Sequence, residues 1–90
     1  MTPTTTVGTT TVELRYFAAA RAALGRSGEA LTVPPGTTVG DVVARLSAST
    51  PAAAPVLARC SVLLDGRRAA PSDVVPDGAG LDLLPPFAGG

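Results

Sequence analysis

The residues best suited to chemistry lie in the C-terminal run Leu81-Asp82-Leu83-Leu84-Pro85-Pro86-Phe87-Ala88-Gly89-Gly90. Leu81 to Leu84 reads as a buried strand. Pro has a fixed φ and no N–H, so a sheet ladder should stop at Pro85 and the chain should leave extended. Phe87 is an aromatic that can anchor on another surface. Gly89 and Gly90 then add backbone without side chains. A carboxylate on so thin an arm can enter a narrow slot in another protein, which is the shape required when the terminal carboxylate is itself the reacting group. Small residues are also common at loose chain ends. The double glycine therefore carries weight only together with the strand and the Pro-Pro-Phe spacer before it.

Little else in the chain offers chemistry. Cys60 is the only cysteine and His is absent, which excludes most protein metal sites and the usual nucleophile–base pairs. One thiol forms no internal disulfide and fits a reducing cytosol. Cys60 precedes an apolar strand and is expected to be a small core residue. The seven cations are all Arg and are balanced by seven acids. No basic run is interleaved with aromatics, so nucleic acid is not the expected partner. Without Lys, the chain offers no side-chain amine for amide attachment. No apolar run is long enough to span a membrane, and no secretory leader is visible. A cytoplasmic protein is expected.

The elements that must position the arm are legible from periodicity. Residues 1–11 hold seven Thr and are expected to be a disordered leader. In Val12-Glu13-Leu14-Arg15-Tyr16-Phe17, Val12, Leu14 and Tyr16 alternate with charges, the pattern of a half-buried strand. Ala18 to Leu24 favours a helix that ends at Gly25, with Phe17, Ala20 and Leu24 on one side. A second strand over Glu29–Val33 should close at Pro34-Pro35-Gly36. Thr38 is a good N-cap for a helix whose stripe is Val39, Val42, Val43 and Leu46, although Asp41 is short for a full capping box. Residues 50–55 read as an Ala/Pro-rich loop, followed by one further turn over 56–59. Cys60 to Leu64 reads as a third strand, and Asp65-Gly66 turns it into Arg67-Arg68, either a solvated strand end that guards an edge or a site for an acidic patch on a partner. Residues 71–80 are turn-rich. The expected organisation is an α+β domain over 12–84, a mixed sheet on one main helix, with a flexible tail at 85–90.

Three pieces of the chain resemble the ThiS/MoaD sulfur-carrier family, and among its members the small subunit of molybdopterin synthase. They are Tyr16-Phe17-Ala18 with Arg21 and Gly25, Leu31 to Pro34 continuing through Gly36 to Leu46, and Leu83 to Gly90. The turn Gly78-Ala79-Gly80 departs from the Gly-Asp-Glu that family members often carry there, which removes two carboxylates from any contact at that turn. The resemblance implies a β-grasp, ubiquitin-like fold. It also implies that the Gly90 carboxylate is activated as an acyl-adenylate by an E1-like adenylating enzyme that uses ATP. A persulfide-bearing sulfur donor then converts it to a thiocarboxylate. Gly89 gives the slim approach, and Pro85, Pro86, Phe87 and Ala88 contact the partner. In the molybdopterin case that partner is the large subunit of a heterotetrameric synthase, which supplies the catalytic groups. The small subunit binds no cofactor or metal of its own and is not itself catalytic. Sulfur supply to thiamine, cysteine or another metabolite, and ubiquitin-like protein modification, use the same activated terminus.

Overall fold

The alternation of Val12, Leu14 and Tyr16 becomes the inner face of strand β1 (Thr10–Tyr16) in the computed structural model, which describes residues 8–86. Helix α1 (Ala18–Leu24) follows, and Gly25 ends it in the left-handed conformation at φ 76°. Strand β2 is Gly28–Val33 and helix α2 is Val39–Ser49. A turn of 3-10 helix at Pro51–Ala53 leads into the short α3 (Ala54–Leu57). Strands β3 (Ser61–Leu64), β4 (Arg67–Arg68) and β5 (Gly80–Leu84) are the remaining elements of the described residues.

The sheet order is β2-β1-β5-β3-β4. Strand β5 runs parallel to β1 and antiparallel to β3, so the last strand in sequence is the central one in space. Its apolar run is consistent with that position, and Leu81 and Leu83 have no solvent exposure. They share one core with Val12, Leu14, Tyr16, Ala20, Val39, Val42 and Leu46. Full burial of a side chain of this size is worth about 1.5–3 kcal/mol. With few aromatics available, this Val/Leu core is what fixes the base of the terminal arm.

Helix α2 starts more firmly than its sequence suggests. Thr38 Oγ1 accepts from the Asp41 N–H at 3.1 Å, and Asp41 Oδ2 accepts from the Thr38 N–H at 3.0 Å, so the capping box is complete despite the shorter acid. The amides of Val39 and Gly40 donate to the carbonyls of Asp73 and Pro71, each at 2.9 Å. The first turn of α2 thereby holds the long connection before β5. That connection is pinned again at Asp77, whose Oδ1 accepts from the Thr11 N–H at 2.8 Å. At the β3–β4 hairpin, Asp65 and Gly66 both adopt positive φ, at 49° and 83°, as a two-residue type I′ turn requires. Asp65 Oδ1 also accepts from the Gly80 N–H at 2.8 Å, which fastens the hairpin to the start of β5.

Three sequence expectations need correction. Strand β1 begins at Thr10, inside the expected leader. Thr10 is buried opposite Val33, and Thr11 pairs with Thr32. The rest of that leader, residues 1–7, lies outside the described residues. The segment expected to be a loop at 50–55 is largely helical, because Pro51 and Pro55 occupy first-turn positions where the missing N–H costs nothing. Ala53 there is fully buried. Phe17 does not join Ala20 and Leu24 on a buried helix face. It stands outside the helix as its N-cap and is 39% exposed.

Candidate functional site

The candidate site is the exit of β5. Its last two residues are held on both sides, Leu83 opposite Tyr16 of β1 and Leu84 opposite Ser61 of β3. The Phe17 N–H donates to the Leu83 carbonyl at 3.3 Å, and pairing ends at Leu84. Pro85 is half-buried and Pro86 exposed, so the chain passes from core to solvent within two residues. Proline accounts for the abruptness, since neither residue has an N–H to extend the ladder. Phe87, Ala88, Gly89 and Gly90, which carry most of the site read from the sequence, lie outside the described residues.

The structure adds groups around this exit that sequence reasoning did not assign to it. Phe17, whose backbone N–H reaches the Leu83 carbonyl, is partly exposed. The following residue, Ala18, has φ 49°, a left-handed conformation that costs a residue with a Cβ about 1–2 kcal/mol. Strain of this kind is tolerated only where the surroundings impose it, and it often marks functional positions. Nothing in Tyr16-Phe17-Ala18 signals it, because the residue that relieves it elsewhere, glycine, is not used here. On the outer face of the sheet Arg15 forms a two-pronged pair with Asp82, Nε to Oδ1 at 2.7 Å and Nη2 to Oδ2 at 3.0 Å. Arg21 is exposed on α1 and shares a shallow depression with Arg15 and Phe17. The neighbourhood of the arm's base therefore combines an exposed ring with guanidinium groups.

On the inner side, Tyr16 fastens the same region. Its hydroxyl donates to Glu29 Oε2, which also takes Nε and Nη2 of Arg26. Burial, followed by the hydrogen bond to Glu29 and its charge, drives the Tyr16 phenol far above its ordinary value, so it stays a neutral donor. Burial alone would raise the Glu29 carboxyl. The bonds from Tyr16 and Arg26, with the Arg26 charge, outweigh that and hold it below its usual value.

Cys60 behaves as the sequence suggests. It is half-buried against the core, its thiol donates to the Val56 carbonyl at 3.4 Å, and burial pushes the thiol's pKa up. A thiol raised in this way is a poor nucleophile. Among the described residues no helix is long and apolar enough to cross a membrane.

A mixed five-stranded sheet over a main helix, with its final strand central and leading into Pro85 and Pro86, defines a ubiquitin-like β-grasp fold. The ThiS family model matches residues 14–90, and the chain belongs to that family. Among solved structures, the Haloferax volcanii HVO 2177 protein is 32% identical with a TM-score of 0.80, over 92% of this chain and 89% of that one. The small archaeal modifier protein 1 of H. volcanii is 27% identical with a TM-score of 0.77, over 87% of this chain and 99% of that one. A chain from the complex of subunits 1 and 2 of the Helicobacter pylori molybdopterin-converting factor shares the fold at 20% identity and a TM-score of 0.60, covering 89% and 99%. No curated protein matches the chain in sequence. Small carriers of this type are in general not catalysts.

Proposed function

We propose that this chain is a sulfur carrier that works through the carboxylate of Gly90, as the small subunit of a molybdopterin synthase. The observation that carries the reading is the placement of the central strand, with Leu81 and Leu83 fully buried, directly before the C-terminal segment. The family match runs through that segment to Gly90. A carboxylate is a poor electrophile. Attack of its oxygen on the α-phosphorus of ATP, on an E1-like activating enzyme, gives the acyl-adenylate and releases pyrophosphate. Sulfide then displaces AMP and leaves the thiocarboxylate. With a protein persulfide as donor, the first product is an acyl disulfide, which a second thiol cleaves to the same thiocarboxylate. The sulfur atom now sits on a slim arm and is a soft nucleophile that the large subunit can direct at a pterin precursor.

In this reading Pro85 and Pro86 hold the arm away from the sheet, and Phe87 and Ala88 seat it in the partner. Phe17 belongs to the same contact, because it is partly exposed and its backbone is bonded to Leu83 at the β5 exit. The complex of two molybdopterin-converting factor subunits from H. pylori supports a large-subunit partner. The chain has no His, and its seven carboxylates are not assigned to the chemistry, so in this reading the acid–base groups belong to the partner.

The test is the intact mass of the protein before and after incubation with an activating enzyme, ATP and sulfide. One oxygen should be replaced by sulfur, and the product should transfer that sulfur once a synthase large subunit and pterin precursor are added. A terminus that stays an unmodified carboxylate would defeat the carrier reading. A second reading, protein modification, is favoured by the likeness to a small archaeal modifier protein. It predicts isopeptides in tryptic digests of a native host that join the segment after Arg68, through Gly90, to lysines of other proteins.

A further inference from the structure

The two edges of the sheet are built differently. Strand β4 is two residues long, and both of them, Arg67 and Arg68, are exposed. Strand β2 is six residues, Gly-Glu-Ala-Leu-Thr-Val, and among the described residues it pairs with β1 alone. The phase of that pairing is set by the Tyr16 N–H, which donates to the carbonyl of Ser27 opposite it at 2.9 Å. Since bonded pairs alternate along an antiparallel ladder, Glu29, Leu31 and Val33 turn their backbone groups toward β1. Gly28, Ala30 and Thr32 turn theirs outward. Among the described residues, this outer row receives one bond, from Arg45 Nη1 to the Thr32 carbonyl at 3.2 Å. No proline, lysine or bulge blunts the edge, and the outward side chains are small. An edge of this kind is a template for another strand.

We propose that the occupant is a second copy of this chain, with β2 paired antiparallel to β2 about a two-fold axis at Ala30. In that register Ala30 faces Ala30 of the second copy, and Gly28 faces its Thr32. Each of these bonded positions exchanges two main-chain hydrogen bonds. The charges fit the same register. Arg45 reaches the Thr32 carbonyl from α2, on the helix side of the sheet. Glu29 shares that side, because it pairs with the buried Leu14. The two-fold axis therefore brings Glu29 of the second copy beside Arg45, once at each end. Three donors already converge on Oε2 of Glu29, which leaves Oε1 for the incoming guanidinium. Arg45 moves from the Thr32 carbonyl to that oxygen, and the carbonyl accepts from the Gly28 N–H of the second copy. The contact is a strand edge with two ion pairs, so the dimer is a weak one.

Sedimentation velocity of the full chain over a concentration series, up to millimolar, is the test. A reversible monomer–dimer equilibrium is expected. Ala30→Pro removes an outward N–H without touching the β1 ladder and should abolish the dimer. Arg45→Glu places like charges together and should weaken it about tenfold or more. A thermal melt of each variant confirms that it folds, and amide exchange should show concentration-dependent protection at Gly28, Ala30 and Thr32 in the parent. A chain that stays monomeric throughout would overturn the proposal. So would a dimer that survives both substitutions, or an edge that pairs only with an added extended peptide.

Discussion

Strand β5 and the segment after it are adjacent in sequence and opposite in construction. Leu81 and Leu83 are completely buried between two neighbouring strands, whereas Pro85 is half-buried and Pro86 exposed. The strand is specified by side chains, and the segment ends in residues that have almost none. A carrier needs both, because a slender arm can place its terminus only if its base does not move. Stability and chemistry should therefore separate cleanly at Pro85, and substitutions on either side should affect one and spare the other.

The largest effects belong to the arm. Removing Gly90 should abolish sulfur loading and leave the melting temperature unchanged. Gly89→Val should lower loading or transfer by orders of magnitude with little change in affinity, because a branched Cβ restricts φ and misplaces the reacting atoms. A shift of ~1 Å can cost about a hundredfold in rate. The check is a single-turnover rate set beside pulldown affinity for the activating enzyme. Near-normal turnover by Gly89→Val would mean that the double glycine is only a loose end.

On the other side of Pro85, Leu83→Ala should cost about 2–5 kcal/mol, the usual range for emptying a buried leucine site. In so small a domain that approaches the whole stability. Urea unfolding of Leu83→Ala beside the Gly90 deletion tests the separation directly. A mild loss for Leu83→Ala would show that the base of the arm is not the centre of the core.

How far this division could be read in advance depended on which signals were local. The Val39, Val42 and Leu46 stripe and the β1 alternation are periodic, and each predicted the face that is buried. The run Leu81-Asp82-Leu83-Leu84 showed a strand on composition, but its central place depends on pairing with β1, far away in sequence. Thr10 is polar by type, so its burial opposite Val33 left no trace in the hydrophobic pattern. Residues 50–55 looked like a loop because Pro usually breaks helices, whereas here it starts them. Phe17 was misread for a different reason. Its position follows from the left-handed φ of Ala18, which no residue preference announces.

Two aromatics bracket the boundary and should show intermediate effects. Phe87→Ala is expected to weaken docking to a synthase large subunit by ~2 kcal/mol or more, the usual cost of truncating an interface anchor. Phe17→Ala should weaken the same contact by a smaller amount, because part of its ring is already covered. Both should leave thermal stability nearly unchanged, and calorimetric titration beside melting curves would check this. A Phe17→Ala protein that loses stability and binds normally would place Phe17 with the core.

The smallest effect concerns Tyr16, which lies opposite Leu83 of the strand. Hydrogen bonds from Tyr16 and Arg26 hold the Glu29 carboxyl below its ordinary value against the opposing effect of burial. A carboxyl whose pKa is lower in the folded state stabilises the fold above its unfolded pKa, ~4.3. That contribution disappears as pH falls through the folded value. Tyr16→Phe removes one of the bonds, so the Glu29 pKa should rise toward the unfolded value and the acid-dependent part of the stability should shrink. At neutral pH the loss should be about 1 kcal/mol, the ordinary worth of one hydrogen bond. The measurement is unfolding free energy from pH 7 down to pH 3 for the parent and the variant, set beside the loading rate of each. Parallel curves would remove Glu29 from the account. A slower loading rate would be the more serious result, because it would mean that the strand's anchoring and the arm's chemistry do not separate at Pro85.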